Sequence, residues 1–575
     1  MNVIQKIMYE SETLIVVLFP TKLSSFEVIK KSRKEFAKID FKDFDIDTVP
    51  VVYIQRDKKN LYVGKSTDIY GRFSAHLKDI SKTFTEIVII RSDLFNDSSI
   101  KHIETLLIDY LTADGKFNLL NIIKGQNIHN YNGIKDVEDM FLEIWDKLME
   151  EGIAIEQLDS IHNKFIYKYS PFKELSANQI GICQDILEAM VTTPKSRHLI
   201  TGDPGTGKTI VLTNILYALV YDQTTGKVRE GLNREDIALV IPQNHSLSSY
   251  QDLIRKVGLH GITVLSPSQF IKKAQGKDDK YKYVFVDESH RLKQYFGKQA
   301  RDLKHLVTED GLITELELIS GYAYHLTVVY DQYQTIRPAD IDTAHFKQLT
   351  AHYKKHILRK QFRLKSGDQY LAWLRKYLHI ANDVGVYEKG LLKGYDFKVM
   401  DSISDLYAAI KELNDEHELC RVVAGYSWEW ATQKDENLHD ITDPITGDEF
   451  KWNSKTKGWI NQDNSVEEIG CIHTIQGADL NYVGVIFGDE IDCDYAGEVN
   501  GDYDLSKAKI KVNPEKYKDR NGLPIKGTDL NNEELKSYIK RIYYVLLSRG
   551  INGCFVYATN SNMQKYLKVI VKISQ

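Results

Sequence analysis

Eight consecutive residues of the chain have the types and the spacing needed to bind phosphate. They follow the pattern G-x-x-x-x-G-K-[ST] and are Gly202, Asp203, Pro204, Gly205, Thr206, Gly207, Lys208 and Thr209. Glycines at this spacing let backbone N–H groups curl around phosphate oxygens, and a helix that begins here adds the positive end of its dipole. We predict that Lys208 reaches the β- and γ-phosphates of a nucleotide and that the Thr209 hydroxyl binds Mg²⁺. The alternative is a chance glycine-rich turn, but a strand predicted at Arg197–Ile200 and a helix predicted at Ile210–Leu219 disfavour it.

Two acidic residues, Asp287 and Glu288, follow the apolar segment Tyr283–Val286. In nucleotide hydrolysis, an acid at this position binds Mg²⁺ and its neighbour polarises the attacking water, so we assign Asp287 and Glu288 these roles. An Asp-Glu pair after a strand is also common as a solvated strand end. Its place downstream of a phosphate loop favours the catalytic interpretation.

Four more polar side chains fit the same chemistry. Gln179 precedes the loop and is predicted to read an adenine edge, while Gln334, at the end of Asp331–Gln334, is predicted to sense the γ-phosphate. Arg363 and Arg549 lie in the second half of the chain. Two arginines facing the loop could neutralise transition-state charge only when two lobes close, so ATP turnover would be a lobe-closing stroke.

A separate set of residues near the N terminus suits phosphodiester hydrolysis. Its members are Tyr53, Tyr62, Arg72, His76, Glu104 and Asn118. Arg72 and His76 are four residues apart and share a helix face, while Glu104 can bind one divalent metal ion through oxygen. A tyrosine near His76 could accept a proton from water, and Arg72 could stabilise the phosphate. The pattern favours Tyr62 over Tyr53 as the base without deciding between them, and the alternative is a small α/β domain with ordinary core tyrosines.

The apolar segments that must position these residues predict an α/β fold. Val51–Ile54 and Leu61–Val63 flank a polar turn and predict a hairpin. Farther along, apolar runs alternate with helices in two series, at 199–200, 237–241, 262–265, 283–286 and 326–330, and then at 397–400, 421–424, 482–487 and 554–557. Continuous apolar strands separated by helices indicate parallel sheets covered on both faces. The fold predicted is therefore a small α/β nuclease-type domain followed by two doubly wound parallel-sheet lobes.

These patterns divide the chain into five predicted segments. They are an N-terminal extension at 1–48, the nuclease-type domain at 49–125, a helical connector at 126–175, a first lobe at 176–350, and a second lobe at 351–575 with a polar insertion at about 431–466. The connector contains an amphipathic helix predicted at Val137–Met149.

Composition and charge indicate the cellular compartment of the protein and the partners it can bind. Its formal net charge of −5 provides no global basic field, so nucleic acid would have to bind a local patch. The stretch 352–365, with six lysines and arginines beside Tyr353 and Phe362, is one such patch, and its alternative is a solvated helix face. The apolar runs are too short to cross a bilayer, and the five cysteines lack zinc-ligand spacing. We therefore expect a cytoplasmic protein with reduced thiols and no membrane partner.

The order of the nucleotide-site motifs resembles that of superfamily 1 helicases. More closely, Cys471–Gly477 and Tyr544–Gly550 resemble the Schlafen group 3-like DNA/RNA helicase domain, and the resemblance covers about residues 176–560. It implies two RecA-like lobes, ATP and Mg²⁺ as cofactors, a nucleic-acid partner, and a place for Gly477 in the nucleotide site. Asp479 and Ser548 stand where Glu and Thr are usual, and both keep the chemistry.

The N-terminal set resembles the GIY-YIG endonucleases over about residues 50–121. The first triplet here is Val51-Val52-Tyr53 and the second is Tyr62-Val63-Gly64, so the first triplet keeps its tyrosine but not its glycine and isoleucine. The resemblance implies an endonuclease that uses one Mg²⁺ or Mn²⁺ ion bound by Glu104. With one active site per chain, a double-strand cut would need two protomers or two successive events.

Together the two resemblances predict an ATP-dependent nucleic-acid-processing enzyme that couples a helicase-like ATPase to a metal-dependent endonuclease. Single- or double-stranded DNA is the expected partner and RNA is a second one, with bacterial anti-phage defence or DNA processing as the setting. Two alternatives stay open at this point. One is an ATP-driven regulatory or sensing switch that does not translocate, and the other is an RNA-directed nuclease.

Overall fold

The computed structural model of the chain describes residues 13–20, 27–32, 50–68, 86–92, 95–121, 133–222, 227–244, 246–277, 280–296, 312–337, 339–381, 390–433, 435, 437–454, 459–475, 478–494, 498–499, 502–503, 508–513 and 532–575. Backbone contacts separate two compact units. The first unit consists of Met1–Leu187, Ile210–Glu235 and Ser249–Ile262, and the second consists of Glu188–Thr209, Asp236–Ser248 and Thr263–Gln575.

The first unit contains a mixed six-stranded sheet. Its strands are β1 (Thr13–Pro20), β2 (Glu27–Ser32), β3 (Val51–Arg56), β4 (Asn60–Ser66), β5 (Glu86–Arg91) and β6 (Asn118–Leu119), in the order β2-β1-β5-β3-β4-β6. β3 and β4 form the predicted antiparallel hairpin. The Asp57 carboxylate closes its turn by accepting hydrogen bonds from the backbone N–H groups of Lys59 (2.6 Å) and Asn60 (2.7 Å). β1 and β2 come from the predicted N-terminal extension, and β1 pairs with β5 in parallel, so that segment contributes to the same sheet.

Helix α1 (Asp97–Asp114) packs against β3 and β4 and is buried along most of its length. Its N terminus is capped reciprocally: the backbone N–H of Ser99 donates to the Asn96 side chain at 2.9 Å, and the backbone N–H of Asn96 donates to Ser99 Oγ at 2.6 Å. Gly115 ends the helix with a φ of 74°, a left-handed conformation that glycine adopts without a steric cost. These caps fix the register of α1, and with it the place of Glu104 near its middle.

The predicted connector is docked on α1. Helix α2 (Ile134–Glu150) is the predicted amphipathic helix, and it buries Val137, Met140, Phe141, Ile144, Trp145 and Leu148. The connector also contains the short helices α3 (Leu158–Asn163) and α4 (Phe165–Tyr169). All three helices contact α1. Asp114, the last residue of α1, accepts hydrogen bonds at 2.9 Å from the backbone N–H groups of Ile155 and Glu156, which adds a polar attachment to the apolar one.

The second unit is built from parallel strands and short hairpins. Its strands are β7 (Arg197–Gly202), β8 (Ile237–Val240), β9 (Thr263–Leu265), β10 (Tyr281–Val286), β11 (Gln294–Phe296), β12 (Leu312–Thr314), β13 (Ala323–Tyr330), β14 (Lys354–Leu358), β15 (Asp396–Val399), β16 (Arg421–Ala424), β17 (Ile441–Thr442), β18 (Glu449–Phe450), β19 (Gly470–Cys471), β20 (Leu480–Phe487), β21 (Ile491–Asp494), β22 (Glu498–Val499), β23 (Asp502–Tyr503), β24 (Lys509–Val512) and β25 (Gly550–Ala558).

Two large sheets define two lobes of this unit. The first-lobe sheet has the order β14-β7-β13-β10-β8-β9, and the second-lobe sheet has the order β15-β25-β20-β16-β19. Every neighbouring pair in both sheets is parallel. The predicted parallel sheets of two α/β lobes are therefore confirmed. Their apolar strands are nearly continuous because both faces of a parallel sheet are covered.

Helices link these strands along the chain. They are α5 (Ala177–Thr192), α6 (Lys208–Val220), α7 (Leu247–Lys256), α8 (Pro267–Gln275), α9 (Glu315–Gly321), α10 (Thr343–Leu349), α11 (Asp368–Tyr377), α12 (Ile403–His417), α13 (Ile472–Ile475), α14 (Asn532–Leu547) and α15 (Ser561–Ser574). In the first lobe, α8 and α9 bury apolar residues against the sheet, and in the second lobe α11, α12, α14 and α15 do so. None of the helices in the described part of the chain combines the length and the apolar character that a membrane crossing requires.

The basic stretch 352–365 is extended at its centre. β14 lies at the edge of the first-lobe sheet beside β7, and burial alternates along its second half, where Ile357 is exposed between the buried residues His356 and Leu358. Alternation with a period of two is the pattern of a half-buried strand. The interpretation of this stretch as a solvated helix face is therefore wrong, whereas the lobe boundary near residue 350 stays a prediction.

The predicted polar insertion is organised around buried tryptophans. It contains the β17–β18 hairpin and the 3-10 helices Ala431–Gln433, Trp459–Asn461 and Asp463–Glu467. The indole Nε1 of Trp459 donates to Glu468 Oε2 at 2.7 Å, and that of Trp452 donates to the carbonyl of Gly470 at 3.3 Å. Because Gly470 belongs to β19, the second bond attaches the insertion to the second-lobe sheet.

We expect Trp145→Ala to loosen the docking of α2 on α1. Trp145 is fully buried, its ring centroid lies 5.6 Å from that of Tyr110 on α1, and its Nε1 donates to the carbonyl of Glu156 at 2.9 Å. Loss of a buried tryptophan side chain costs about 3–5 kcal/mol. If the docking of α2 on α1 is weakened by ~3 kcal/mol, backbone amides of α1 that exchange only when α2 undocks should exchange about 100-fold faster. Hydrogen–deuterium exchange on the full chain measures this rate.

Leu142→Ala is the matched control on the same helix, because Leu142 is 54% exposed. We expect it to change exchange in α1 by no more than about twofold. If Trp145→Ala and Leu142→Ala exchange alike, the connector is not held on α1 by this packing.

Candidate nucleotide-binding site

The phosphate loop joins the first-lobe strand β7, which ends at Gly202, to helix α6, which begins at Lys208. Gly205 and Gly207 have φ angles of 79° and 80°, in the left-handed region that favours glycine. Space also requires glycine: a Cβ on Gly205 would lie 2.7 Å from the Cβ of Arg363. The loop therefore has the curled backbone that its sequence predicts.

The side chain of Lys208 folds back onto the backbone of this loop. Its Nζ donates hydrogen bonds to the carbonyl oxygens of Gly202 at 2.7 Å and Asp203 at 3.0 Å, and it lies 3.1 Å from Asp331 Oδ2. Burial raises the pKa of Asp331, but the charges of Lys208 and His290 and the hydrogen bonds from Gln334 and Lys208 together lower it below its usual value. The ammonium group is therefore held at the loop by ligands that phosphate oxygens could replace.

The residues predicted to bind Mg²⁺ lie together. Thr209 Oγ1 donates a hydrogen bond to Asp287 Oδ2 at 2.8 Å, although the two residues are 78 positions apart in the chain. Asp287 is completely buried, and its Oδ1 accepts the backbone N–H of Glu288 at 2.8 Å. A hydroxyl and a carboxylate in contact at the end of a phosphate loop are oxygen donors of the kind that Mg²⁺ prefers. The donor set therefore fits this ion.

Glu288 occupies a strained position next to this pair. Its φ is 50°, a left-handed conformation that costs a residue with a Cβ about 1–2 kcal/mol. Its Oε2 lies 2.9 Å from His290 Nε2. Burial would raise the pKa of Glu288, but the charges of His290 and Lys208 lower it to about 2. The carboxylate is therefore ionised at neutral pH, as a residue that orients water requires. His290 was not predicted from the sequence, although it follows the acidic pair by two positions.

Gln334 and Arg549 connect the second lobe to Lys208. Arg549 Nη2 donates to Gln334 Oε1 at 3.0 Å, and Gln334 Nε2 donates to Asp331 Oδ2 at 2.8 Å. Arg549 is 1% exposed and also donates to the carbonyls of Val545 and Ala478. A continuous chain of contacts therefore runs from Arg549 through Gln334 and Asp331 to Lys208.

Arg363 reaches the site along the backbone. The N–H of Phe362 donates to the carbonyl of Gly205 at 2.8 Å, which places Arg363 directly beside the phosphate loop. The Arg363 Nε lies 2.9 Å from Oδ1 of Asp479, which follows the helicase-like motif Cys471–Gly477 by two residues. Gly477 in that motif lies outside the described residues.

Arg375 on α11 also meets the loop and was not predicted from the sequence. Its Nη1 lies 3.1 Å from Asp203 Oδ2, and its guanidinium lies 4.8 Å from the ring centroid of Tyr333. One arginine on an amphipathic helix has no sequence signal that distinguishes it from a surface arginine. Gln179 lies in the first unit, at the start of α5, where its Oε1 accepts the backbone N–H of Ser176 at 2.8 Å, and its adenine-reading role stays a prediction.

The described members of the N-terminal set lie on the hairpin, on α1 and on β6 of the first unit. The Tyr53 ring is fully buried and covers Gly64, where a Cβ would lie 2.4 Å from Tyr53 Cζ. The ring centroids of Tyr53 and Tyr62 are 6.3 Å apart, Glu104 is partly exposed on α1, and Asn118 is exposed on β6. Arg72 and His76 lie outside the described residues. Among the residues that are described, no group of three or more His, Cys, Asp or Glu side chains could hold a metal ion.

Comparison with known proteins places this geometry in context. Residues 195–560 match the family Schlafen group 3, DNA/RNA helicase domain. The uncharacterized protein YPL245W of Saccharomyces cerevisiae is 27% identical over 402 residues, which cover 64% of this chain and 83% of the yeast protein.

Solved helicase structures are similar to parts of the chain. The Arterivirus nonstructural protein 10 helicase has a TM-score of 0.30 and 14% identity, over 67% of this chain and 64% of that one, so the chain spans less than two thirds of its length. S. cerevisiae Dbp5 bound to RNA and ADP BeF3 has a TM-score of 0.29 and 13% identity, over 75% of this chain and 93% of that one. The family match, which spans more than half of the chain and contains the phosphate loop, the acidic pair and both arginines, shows that this chain belongs to the Schlafen group 3 DNA/RNA helicase domain family.

Proposed function

We propose that this protein is a nucleic-acid-dependent ATPase whose nucleotide binds the loop Gly202–Thr209. One observation carries the proposal: the contacts from Arg549 through Gln334 and Asp331 to Lys208 connect the second lobe to the phosphate loop. Such a connection lets a change at the nucleotide reach the second lobe. Membership of a DNA/RNA helicase domain family supports nucleic acid as the partner.

The site residues have distinct roles in hydrolysis. The loop N–H groups and Lys208 bind the phosphates, and Thr209 and Asp287 would hold Mg²⁺, which neutralises charge on the phosphate oxygens. The ionised carboxylate of Glu288 orients the water whose oxygen attacks the γ-phosphorus as the bond to the leaving diphosphate breaks. Arg549 is positioned to neutralise charge that develops in the transition state.

Phe362 offers a binding face for the nucleobase. Its ring is 52% exposed while its backbone is bonded to Gly205 of the loop. An exposed aromatic ring fixed beside a phosphate loop can stack on a base.

The basic strand β14 is the proposed contact for a nucleic-acid backbone. Lys354 and Lys355 are exposed on this strand, and Arg359 and Lys360 are exposed directly after it, although the chain as a whole is acidic. Phosphate contacts supply most of the affinity for nucleic acid and need such local positive charge. DNA and RNA are both candidates, and the cytoplasmic location and the anti-phage or DNA-processing setting stay predictions.

The main alternative is an ATP-driven switch that does not translocate. It would use the same loop, the same Glu288 and the same lobe connection. It differs in one respect, since its ATP turnover would not depend on nucleic acid.

A second activity, metal-dependent endonuclease cleavage, is proposed for the first unit. The observation that favours it is the fit of Tyr53 over Gly64 on the hairpin, next to Tyr62 and against the helix that carries Glu104. This arrangement keeps two tyrosines and a carboxylate on adjoining elements, as hydrolysis of a phosphodiester by a tyrosine base and one metal ion requires. Bound Mg²⁺ or Mn²⁺ would neutralise charge on the cleaved phosphate.

We expect Glu288→Gln to reduce ATP hydrolysis by about 100-fold, the usual effect of losing one group that acts in the transition state. Nucleotide affinity should change little, because the role proposed for Glu288 is to orient the attacking water and not to bind the phosphates. Lys208→Ala should instead abolish nucleotide binding. Steady-state phosphate release and equilibrium binding of a fluorescent ATP analogue separate the two effects, with Lys347→Ala, an exposed lysine on α10, as the control. Full activity in Lys208→Ala would refute the nucleotide site.

For the nuclease, we expect Glu104→Ala to reduce Mg²⁺- or Mn²⁺-dependent cleavage of labelled nucleic acid by about 100-fold. Glu143→Ala, an exposed carboxylate on α2, is the matched control and should cleave like the wild type. Parallel DNA and RNA substrates show whether the enzyme is an RNA-directed nuclease. Cleavage by Glu104→Ala at the wild-type rate would exclude the proposed nuclease site.

A further inference from the structure

A partly buried ion pair attaches the phosphate loop to the second lobe. Arg375 Nη1 lies 3.1 Å from Asp203 Oδ2 and donates to the Tyr544 hydroxyl at 3.2 Å. The arginine side chain is 9% exposed and the aspartate side chain is 36% exposed. The guanidinium also lies over the ring of Tyr333, so aromatic groups hold it from two directions.

The position of Asp203 needs an explanation, because a carboxylate in a loop that receives phosphate repels its ligand. Burial raises the pKa of Asp203, Arg375 lowers it, and the nearby charge of Asp331 raises it. Asp203 is thus one of several acids around a site built for an anion. Without a cation of its own, its charge would oppose nucleotide binding.

Arg375 has the geometry to supply that cation. It approaches from α11 in the second lobe, and its second partner, Tyr544, lies on α14. The Tyr544 carbonyl accepts the N–H of Ser548, the residue before Arg549. Arg375 therefore contacts the phosphate loop through Asp203. Through Tyr544 it contacts the turn that leads to Arg549.

We infer that Arg375 is a positioning residue for ATP: it neutralises Asp203 and fastens the loop to the second lobe, so that the loop accepts the triphosphate. This inference rests on the proposed nucleotide-binding function. Arg375 and Arg549 thus have different roles. Arg549 is connected through Gln334 and Asp331 to Lys208, whereas Arg375 acts through Asp203, a carboxylate of the loop itself.

Paired substitutions in the full chain test the inference. Arg375→Met leaves Asp203 uncompensated, and we expect it to raise the KM for ATP about 10-fold with kcat within about twofold, because the Asp203 charge then faces the triphosphate without its partner. Asp203→Asn removes the repelling charge, and we expect it to lower the KM about threefold. Combining the two substitutions should bring the KM about 10-fold below that of Arg375→Met, an effect that a purely structural role would not give.

Several results would overturn the inference. A fall in kcat with no change in KM for Arg375→Met, not relieved by Asp203→Asn, would show that Arg375 acts on the phosphates directly. A wild-type KM in Arg375→Met would show that the pair has no part in nucleotide binding. If thermal melting shows that Arg375→Met is unfolded, Asp203→Asn alone decides, since a raised KM in that variant contradicts charge compensation.

Lys208→Ala separates this inference from the proposed function. If Lys208→Ala loses binding of the fluorescent ATP analogue while Arg375→Met binds like the wild type, only the role of Arg375 is wrong. If Lys208→Ala binds the analogue like the wild type, the nucleotide site itself is wrong and the inference falls with it.

Discussion

Lys208 is held between carbonyl oxygens of the phosphate loop and the carboxylate of Asp331, and most of the nucleotide site depends on this contact. Buried charges are tolerated only when they are paired and hydrogen-bonded, and Asp331 shares its pairing with Gln334, which in turn binds Arg549. A phosphate that draws Lys208 away from Asp331 therefore changes the contact of Asp331 with Gln334, and with it the contact of Gln334 with Arg549. The side-chain link from Lys208 through Asp331 and Gln334 to Arg549 is therefore electrostatic.

The parallel sheet explains why these groups meet. β7, β10 and β13 are neighbours with the same direction, so the residues that follow their carboxyl ends lie at one edge. The phosphate loop, the acidic pair and Asp331 follow those three strands in turn. Ligands of open α/β sheets bind at this edge because loops from several strands converge there. The second-lobe residues Arg363 and Arg549 then reach the loop through the backbone of Phe362 and the side chain of Gln334.

The sequence was sufficient where one residue type has one physical use. Glycine spacing predicted the loop, apolar runs predicted the parallel strands, and alternating polarity across a turn predicted the hairpin. It was insufficient where a role depends on tertiary approach: His290 and Arg375 have no local pattern, and their partners became visible only from the fold. The stretch around Lys355 left two interpretations open, because a short basic segment with aromatic residues fits a helix face as well as an edge strand until its pairing with β7 is known.

The rate of ATP hydrolysis by the full chain, with and without single-stranded DNA or RNA, tests the central claim most directly. If nucleic acid is the partner of this two-lobed site, at least one of the two should raise the rate by about 10-fold, a usual size for coupling between two sites. The stimulation should weaken as salt rises, since phosphate contacts carry it. A rate that is the same with DNA, with RNA and with neither would contradict a nucleic-acid-dependent ATPase and favour the switch.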